Sequence, residues 1–192
     1  YKGIASDAEL VLLKVMNSEG KITTENIVKA LQWVQKNQAK YNIRLINISL
    51  ADDETGSWKN SEVDILAERL IEEGIIIIAA VGNDVGASIK SPASSPNVIA
   101  VGGWDDNNSL DEEENKLYHS SFGKTADEFY KPELIANAIW IAAPILPQTP
   151  EQEKLAREPL VSFGLCGDLL HEIAESVRDE HGMANAFQRR KL

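Results

Sequence analysis

The first feature of this 192-residue sequence with the makings of chemistry is an asparagine at the end of an apolar run. The run is Gly74-Ile75-Ile76-Ile77-Ile78-Ala79-Ala80-Val81-Gly82-Asn83. A β-branched stretch of this kind reads as a strand buried on both faces. Ala79 and Ala80 leave room beside the strand end, Gly82 permits a sharp backbone bend, and Asn83 emerges at the carboxyl edge. Open α/β sheets bind their ligands at that edge. A carboxamide there offers two N–H donors to an oxygen on which negative charge develops. A Gly-Asn pair is also an ordinary turn, and only the rest of the chain can choose.

The other reactive side chains are less well placed. His119 falls in a polar loop, His171 within a helix, and His181 at a helix end, where a cation suits the helix dipole. None has the setting of a general base. Cys166 is the only cysteine, which excludes an internal disulfide. It lacks the glycine-rich or helix-start surroundings that activate a thiol, so it reads as structural. The acidic segment 105–114 invites a calcium ion. Leu110 and Lys116, however, stand where an EF-hand loop needs glycine and glutamate. The expectation is therefore no cofactor, with calcium at this segment as the one candidate.

Lys plus Arg number 19 against 30 Asp plus Glu, a net charge of −11. That argues against nucleic acid or an anionic membrane as the main partner, and the basic end Arg189-Arg190-Lys191 is too short to reverse it. No apolar run reaches the length of a membrane span, and no signal peptide is visible. The first residue is Tyr1 rather than Met, as in a processed or excised piece. Nothing in the sequence identifies a compartment.

The elements that would position Asn83 follow in a regular order. Leu10–Val15 reads as a buried strand, and Asn17-Ser18-Glu19-Gly20 as a turn. Thr23 or Thr24 caps a helix to about Tyr41, with Ile27, Ala30, Leu31 and Val34 on one face and Trp33 packed there too. Leu45–Leu50 is a second strand. Ser61 with Asp64 opens another helix that ends at Gly74. The isoleucine strand comes next, then a long irregular loop, 84–97, and a fourth strand, Val98–Gly102. Strand, helix, strand, helix, strand implies right-handed crossovers and a mostly parallel sheet, hence an α/β fold. Further on, Lys131–Ala136 and Ile139–Ala142 read as short extended pieces. Thr149-Pro150-Glu151-Gln152 starts a helix, and a last one spans about Asp168 to His181.

Six segments in this order resemble the subtilisin-like serine proteases. Gly3–Leu10 followed by Lys14-Val15 is similar to the family's G-x-A-P-x-A-x-L…K-V, and Ile46-Asn47-Ile48-Ser49-Leu50-Ala51 to its I-N-M-S-L-G. Ala79-Ala80-Val81-Gly82-Asn83 resembles A-A-A-G-N. Pro92-Ala93 with Pro96–Gly102 resembles P-A-x-x-P-x-V-I-x-V-G. Ser120–Gly123 and Lys131–Ala136 resemble S-S-x-G and K-P-D-I-x-A-P-G.

The resemblance implies a three-layer α/β/α subtilisin-like fold over residues 1–147, with 148–192 a helical segment outside the match. It implies that Asn83 lines an oxyanion hole. It also implies that Ser49, Leu50 and Ala51, with Ala80, Val81 and Gly82, line a cleft for a peptide or protein substrate paired as an added strand. The family's Asp, His and Ser follow one another along the chain. The first two would precede Tyr1, and no Gly-Thr-Ser follows Pro147. Asn137-Ala138 stands where Pro-Gly is usual, and Ala51 where Gly is. The reading is thus part of a serine endopeptidase, inactive as an isolated chain and prone to self-association through uncovered core surface. Two alternatives stay open: a pseudoprotease or peptide-binding module, and an unrelated doubly wound domain for a small ligand.

Overall fold

Two amphipathic helices and the strands they connect account for the core. The structure is a computed structural model that describes residues 5, 7–53 and 55–139, all within one unit of the chain, Lys2–Ile141. The expected helices at Thr149 and Asp168 lie outside the described residues, as do Trp140, Cys166, His171 and His181.

Helix α1 spans Thr24–Tyr41. The Thr23 hydroxyl accepts from the Asn26 N–H at 3.3 Å, satisfying one of the donors a helix start leaves unpaired. Asn42 ends it in the left-handed region, at φ 50°. Its buried stripe is Ile27, Val28, Leu31 and Val34. Trp33 is half-buried and stacks on Tyr41, ring centroids 5.5 Å apart, a packing role. Strand β1, Leu45–Ile48, stops two residues short of the expected end. Helix α2, Glu62–Glu72, is capped by Ser61, whose hydroxyl accepts from Asp64 N–H at 3.2 Å. Gly74, at φ 93°, then reverses the chain while Ile75 N–H bonds back to Leu70 C=O at 3.0 Å. Strand β2 is Ile76–Ala80 and strand β3 is Ile99–Asp105.

The strands β1, β2 and β3 lie side by side and parallel. Strand β4, Lys116–Leu117, runs antiparallel to the end of β3. A short antiparallel pair, β5 (Gly123–Lys124) and β6 (Tyr130–Lys131), forms a separate ribbon. Strand β7, Leu134–Asn137, joins β3 in parallel.

Pairing Ile48 with Ala79, and Ala80 with Val101, fixes which side chains share a face. Ile48, Ile77, Ala79 and Ala100 meet Ile27, Leu31, Val63, Leu66 and Leu70 in one core. Leu45, Ile76 and Leu134 point the other way and stay 51%, 51% and 57% exposed. Among the described residues no helix covers that face.

One expectation needs correction. Leu10–Val15 is not a buried strand: it belongs to no ladder, and Leu10 and Leu12 are 79% and 86% exposed. Apolar β-branched composition supplies a preference, but a strand exists only where a neighbour takes its N–H and C=O groups. Only Met16 is bridged, to Ile22. The loop 84–97 is irregular as expected, and its residues 91–95 are buried. Helix α2 holds them. The Asp64 carboxylate accepts from Ser91 Oγ at 2.7 Å and Ser94 Oγ at 3.0 Å. One turn on, Glu68 accepts from Ser95 Oγ, from Asn97 N–H at 3.0 Å and from Asn97 Nδ2 at 2.6 Å. Buried carboxylates are tolerated when their lone pairs are filled in this way.

Candidate functional site

The parallel register brings the sequence-predicted site residues to one edge. Because Ile48 pairs with Ala79, Ser49, Leu50 and Ala51 leave β1 level with Ala80, Val81 and Gly82 leaving β2. Ser49 and Ala51 are exposed and Leu50 is half-buried. The Ser49 hydroxyl accepts from Asn47 Nδ2 at 2.9 Å, so it is satisfied by a side chain of its own strand.

On the other flank of β2 lies a depression of about 150 Å³. Ala80 to Asn83 line it together with Tyr118, Ser120 and Asn137. Ser49, Leu50 and Ala51 do not line it, so of the predicted peptide-pairing residues only Ala80, Val81 and Gly82 border this hollow. Asn83 is exposed, and among the described residues its carboxamide has no hydrogen-bond partner. Both its N–H donors are therefore available to a guest.

The backbone around Asn83 is held from outside the sheet. Val81 N–H makes the last ladder-like bond, to Val101 C=O at 3.1 Å. Beyond it, Ser121 N–H donates to Gly82 C=O at 3.0 Å. The Ser121 hydroxyl donates to Asp84 C=O at 2.9 Å and accepts from Asp84 N–H at 3.3 Å. Gly82 has φ 113°, and a Cβ there would sit 2.7 Å from Ser121 Oγ. Glycine is thus required twice over, by backbone angle and by space. Ser120 meanwhile accepts from Gly103 N–H at 2.7 Å through its hydroxyl. The pair Ser120-Ser121 was visible as a motif, but which strand ends it would staple was not.

An ion pair between a buried lysine and a partly exposed glutamate fixes the far wall. Lys131 Nζ, with its side chain 0% exposed, donates to Val98 C=O at 2.7 Å and to Glu133 Oε1 at 2.5 Å. Glu133 Oε2 accepts from Ala100 N–H at 2.8 Å. This locks the approach to β7 onto β3 and so sets where Ala136 and Asn137 fall.

Asn137 has a task of its own. Its Nδ2 donates to Asp106 Oδ2 at 2.6 Å, while Asn108 N–H donates to the other oxygen at 3.0 Å. The Asn137 bond first, and the Asn108 bond second, hold the Asp106 carboxyl below its usual value. A carboxyl depressed in the folded state adds stability above the unfolded aspartate value of about 3.9, and that contribution is lost as pH falls through the lower folded value. We expect Asn137→Ala to raise the Asp106 midpoint toward about 3.9 in an NMR titration. An unmoved midpoint would show that the bond does not form in solution.

His119 is exposed and lies against Tyr118, ring centroids 3.9 Å apart. Among the described residues no group of three or more His, Cys, Asp or Glu could hold a metal ion. No helix there is long and apolar enough to cross a membrane.

A family model described as the Subtilase family matches residues 1–158. The chain belongs to the subtilases. Among its relatives, Subtilisin-like protease 3 of Pseudogymnoascus destructans is 31% identical over 66% of this chain and 30% of its own. Serine protease AprX of Bacillus subtilis is 32% identical over 72% of this chain and 33% of its own. Two solved structures, S41 Psychrophilic Protease and Sphericase, are 26% and 27% identical, each with a TM-score of 0.52. Each covers 63% of this chain and 38% of the solved one. The chain therefore spans about a third of the length of these subtilases. Its mostly parallel sheet, with α1 and α2 packed on one face, is consistent with the three-layer α/β/α fold of these subtilase structures. Membership sets aside the unrelated doubly wound small-ligand domain.

Proposed function

We propose that this chain is the part of a subtilisin-like serine endopeptidase that carries the oxyanion donor and one wall of the peptide cleft. The observation that supports it is Asn83: an unpartnered carboxamide at the carboxyl end of β2, over a hollow, on a backbone bracketed by Ser121. In this reading an extended peptide lies along Ser49–Ala51 and Ala80–Gly82 and pairs with their backbone. As a serine attacks the scissile carbonyl, the Asn83 N–H groups stabilise the negative oxygen of the tetrahedral intermediate. The substrate is a peptide or protein. No cofactor, nucleic acid or membrane enters the proposal.

The sequence contains neither a His-Gly-Thr nor a Gly-Thr-Ser triplet. Nucleophile and base would then come from outside this chain, and the 192 residues alone are expected to leave a fluorogenic peptide uncut. Hydrolysis that a serine-directed inhibitor abolishes would refute this. The same missing triplets favour a second reading, a pseudoprotease or peptide-binding module. Saturable binding of an extended peptide, from a parent gene that also lacks the triad, would decide for it.

A further inference from the structure

We infer that Ser121 is the positioning residue that aims the Asn83 carboxamide. The purpose of that aim rests on the oxyanion reading; the geometry does not. Ladder bonding along β2 ends at Val81, so Gly82, Asn83 and Asp84 receive no register from the sheet. Ser121 takes over on both sides of Asn83: its N–H holds Gly82 C=O, and its hydroxyl both donates to and accepts from Asp84. It touches the flanks and leaves the carboxamide free. At 3% exposure the hydroxyl is shielded from competing water, so these bonds do not exchange readily with solvent. Ser120, anchored on Gly103 N–H, ties the preceding residue to β3. The positions of the two serines thus tie β3 to the Gly82–Asp84 segment, whose only other backbone brace among the described residues beyond β2 is Ala87 N–H on Asp84 C=O at 3.1 Å. A donor held this way needs no reorganisation when charge develops, which is what makes an oxyanion site effective.

The test uses the full ¹⁵N-labelled chain and reads backbone order and amide exchange, with Asn83→Ala assigning the side-chain resonances. Wild-type Gly82–Asp84 should show order parameters near the rigid value of about 0.85. In Ser121→Ala they should fall toward about 0.6 or below, and the Asp84 amide should exchange roughly tenfold faster. Amides of the core, such as Ala79 and Ala100, should not change. Ser121→Thr, which keeps the hydroxyl, should restore both readouts. Unaltered order at 82–84 in Ser121→Ala would overturn the inference. So would loosening of the whole core, which would make Ser121 a general structural residue, or failure of Thr to rescue, which would remove the hydroxyl from the account. Failure of the oxyanion reading shows elsewhere, as unchanged turnover in an Asn83→Ala protease, and leaves this result untouched.

Discussion

Replacing Asn83 by alanine in a protease that contains this chain is expected to lower kcat by about 10²–10³ while leaving KM nearly unchanged. Removing an oxyanion-hole donor from subtilisin costs that much. The direction follows from the site. The carboxamide has no partner among the described residues, so truncating it breaks no bond seen there and should barely alter folding or ground-state binding. What disappears is a donor that becomes valuable only when the carbonyl oxygen acquires charge, and interactions confined to the transition state appear in kcat. A variant with wild-type kcat, or one whose entire loss lies in KM, would end the assignment.

The second large effect concerns stability. Glu133→Ala leaves the fully buried Lys131 ammonium with one acceptor, Val98 C=O, and takes the acceptor from Ala100 N–H. An abandoned buried charge costs about 3–5 kcal/mol. Because the Glu133 side chain is 37% exposed, water can enter in its place, and about 3 kcal/mol is the expected loss. In urea unfolding that lowers the midpoint by about 1–2 M at an ordinary slope. Glu133→Gln keeps an oxygen for Ala100 N–H and should cost clearly less. A midpoint for the alanine variant within experimental error of wild type would show that the pair does not hold β7 in place.

These two cases mark what was legible in the chain. The place of Asn83 at the carboxyl end of β2 could be read because its signal is local: a β-branched run, small residues, a glycine and a carboxamide occur consecutively, and their placement needs only the strand direction. The helices α1 and α2 and their caps at Thr23 and Ser61 were legible for the same reason, since period and cap chemistry act within a few residues. Lys131, Ser121 and Glu68 were not. Their partners lie 33, 37 and 27 to 29 residues away, and no window along the sequence shows that a lysine will be fully buried or a serine will bracket a distant loop. Leu10–Val15 failed in the opposite sense. Its local signal was strong, but a strand is a property of two chains of hydrogen-bonding groups, and among the described strands β1 has only β2 beside it. Asp64 lay between the extremes. It was read as part of a helix start, and the structure adds that its carboxylate faces Ser91 and Ser94.

The sheet face carrying Leu45, Ile76 and Leu134, which no helix among the described residues covers, also has a colloidal consequence. Each copy carries a net charge of −11, so in dilute buffer like-charge repulsion acts over about 30 Å and keeps apolar faces from meeting. Raising the ionic strength toward 1 M shrinks that reach to about 3 Å, less than a side chain, while an excluded salt such as sulfate strengthens apolar association. The chain should therefore be dispersed at low salt and associate as sulfate is added, the reverse of a charge-paired complex. Light scattering across a sulfate series would register it, and a mass that stays constant throughout would mean the face is not adhesive. On that expectation, salt would act as the dial between a solution of single chains and a condensed one.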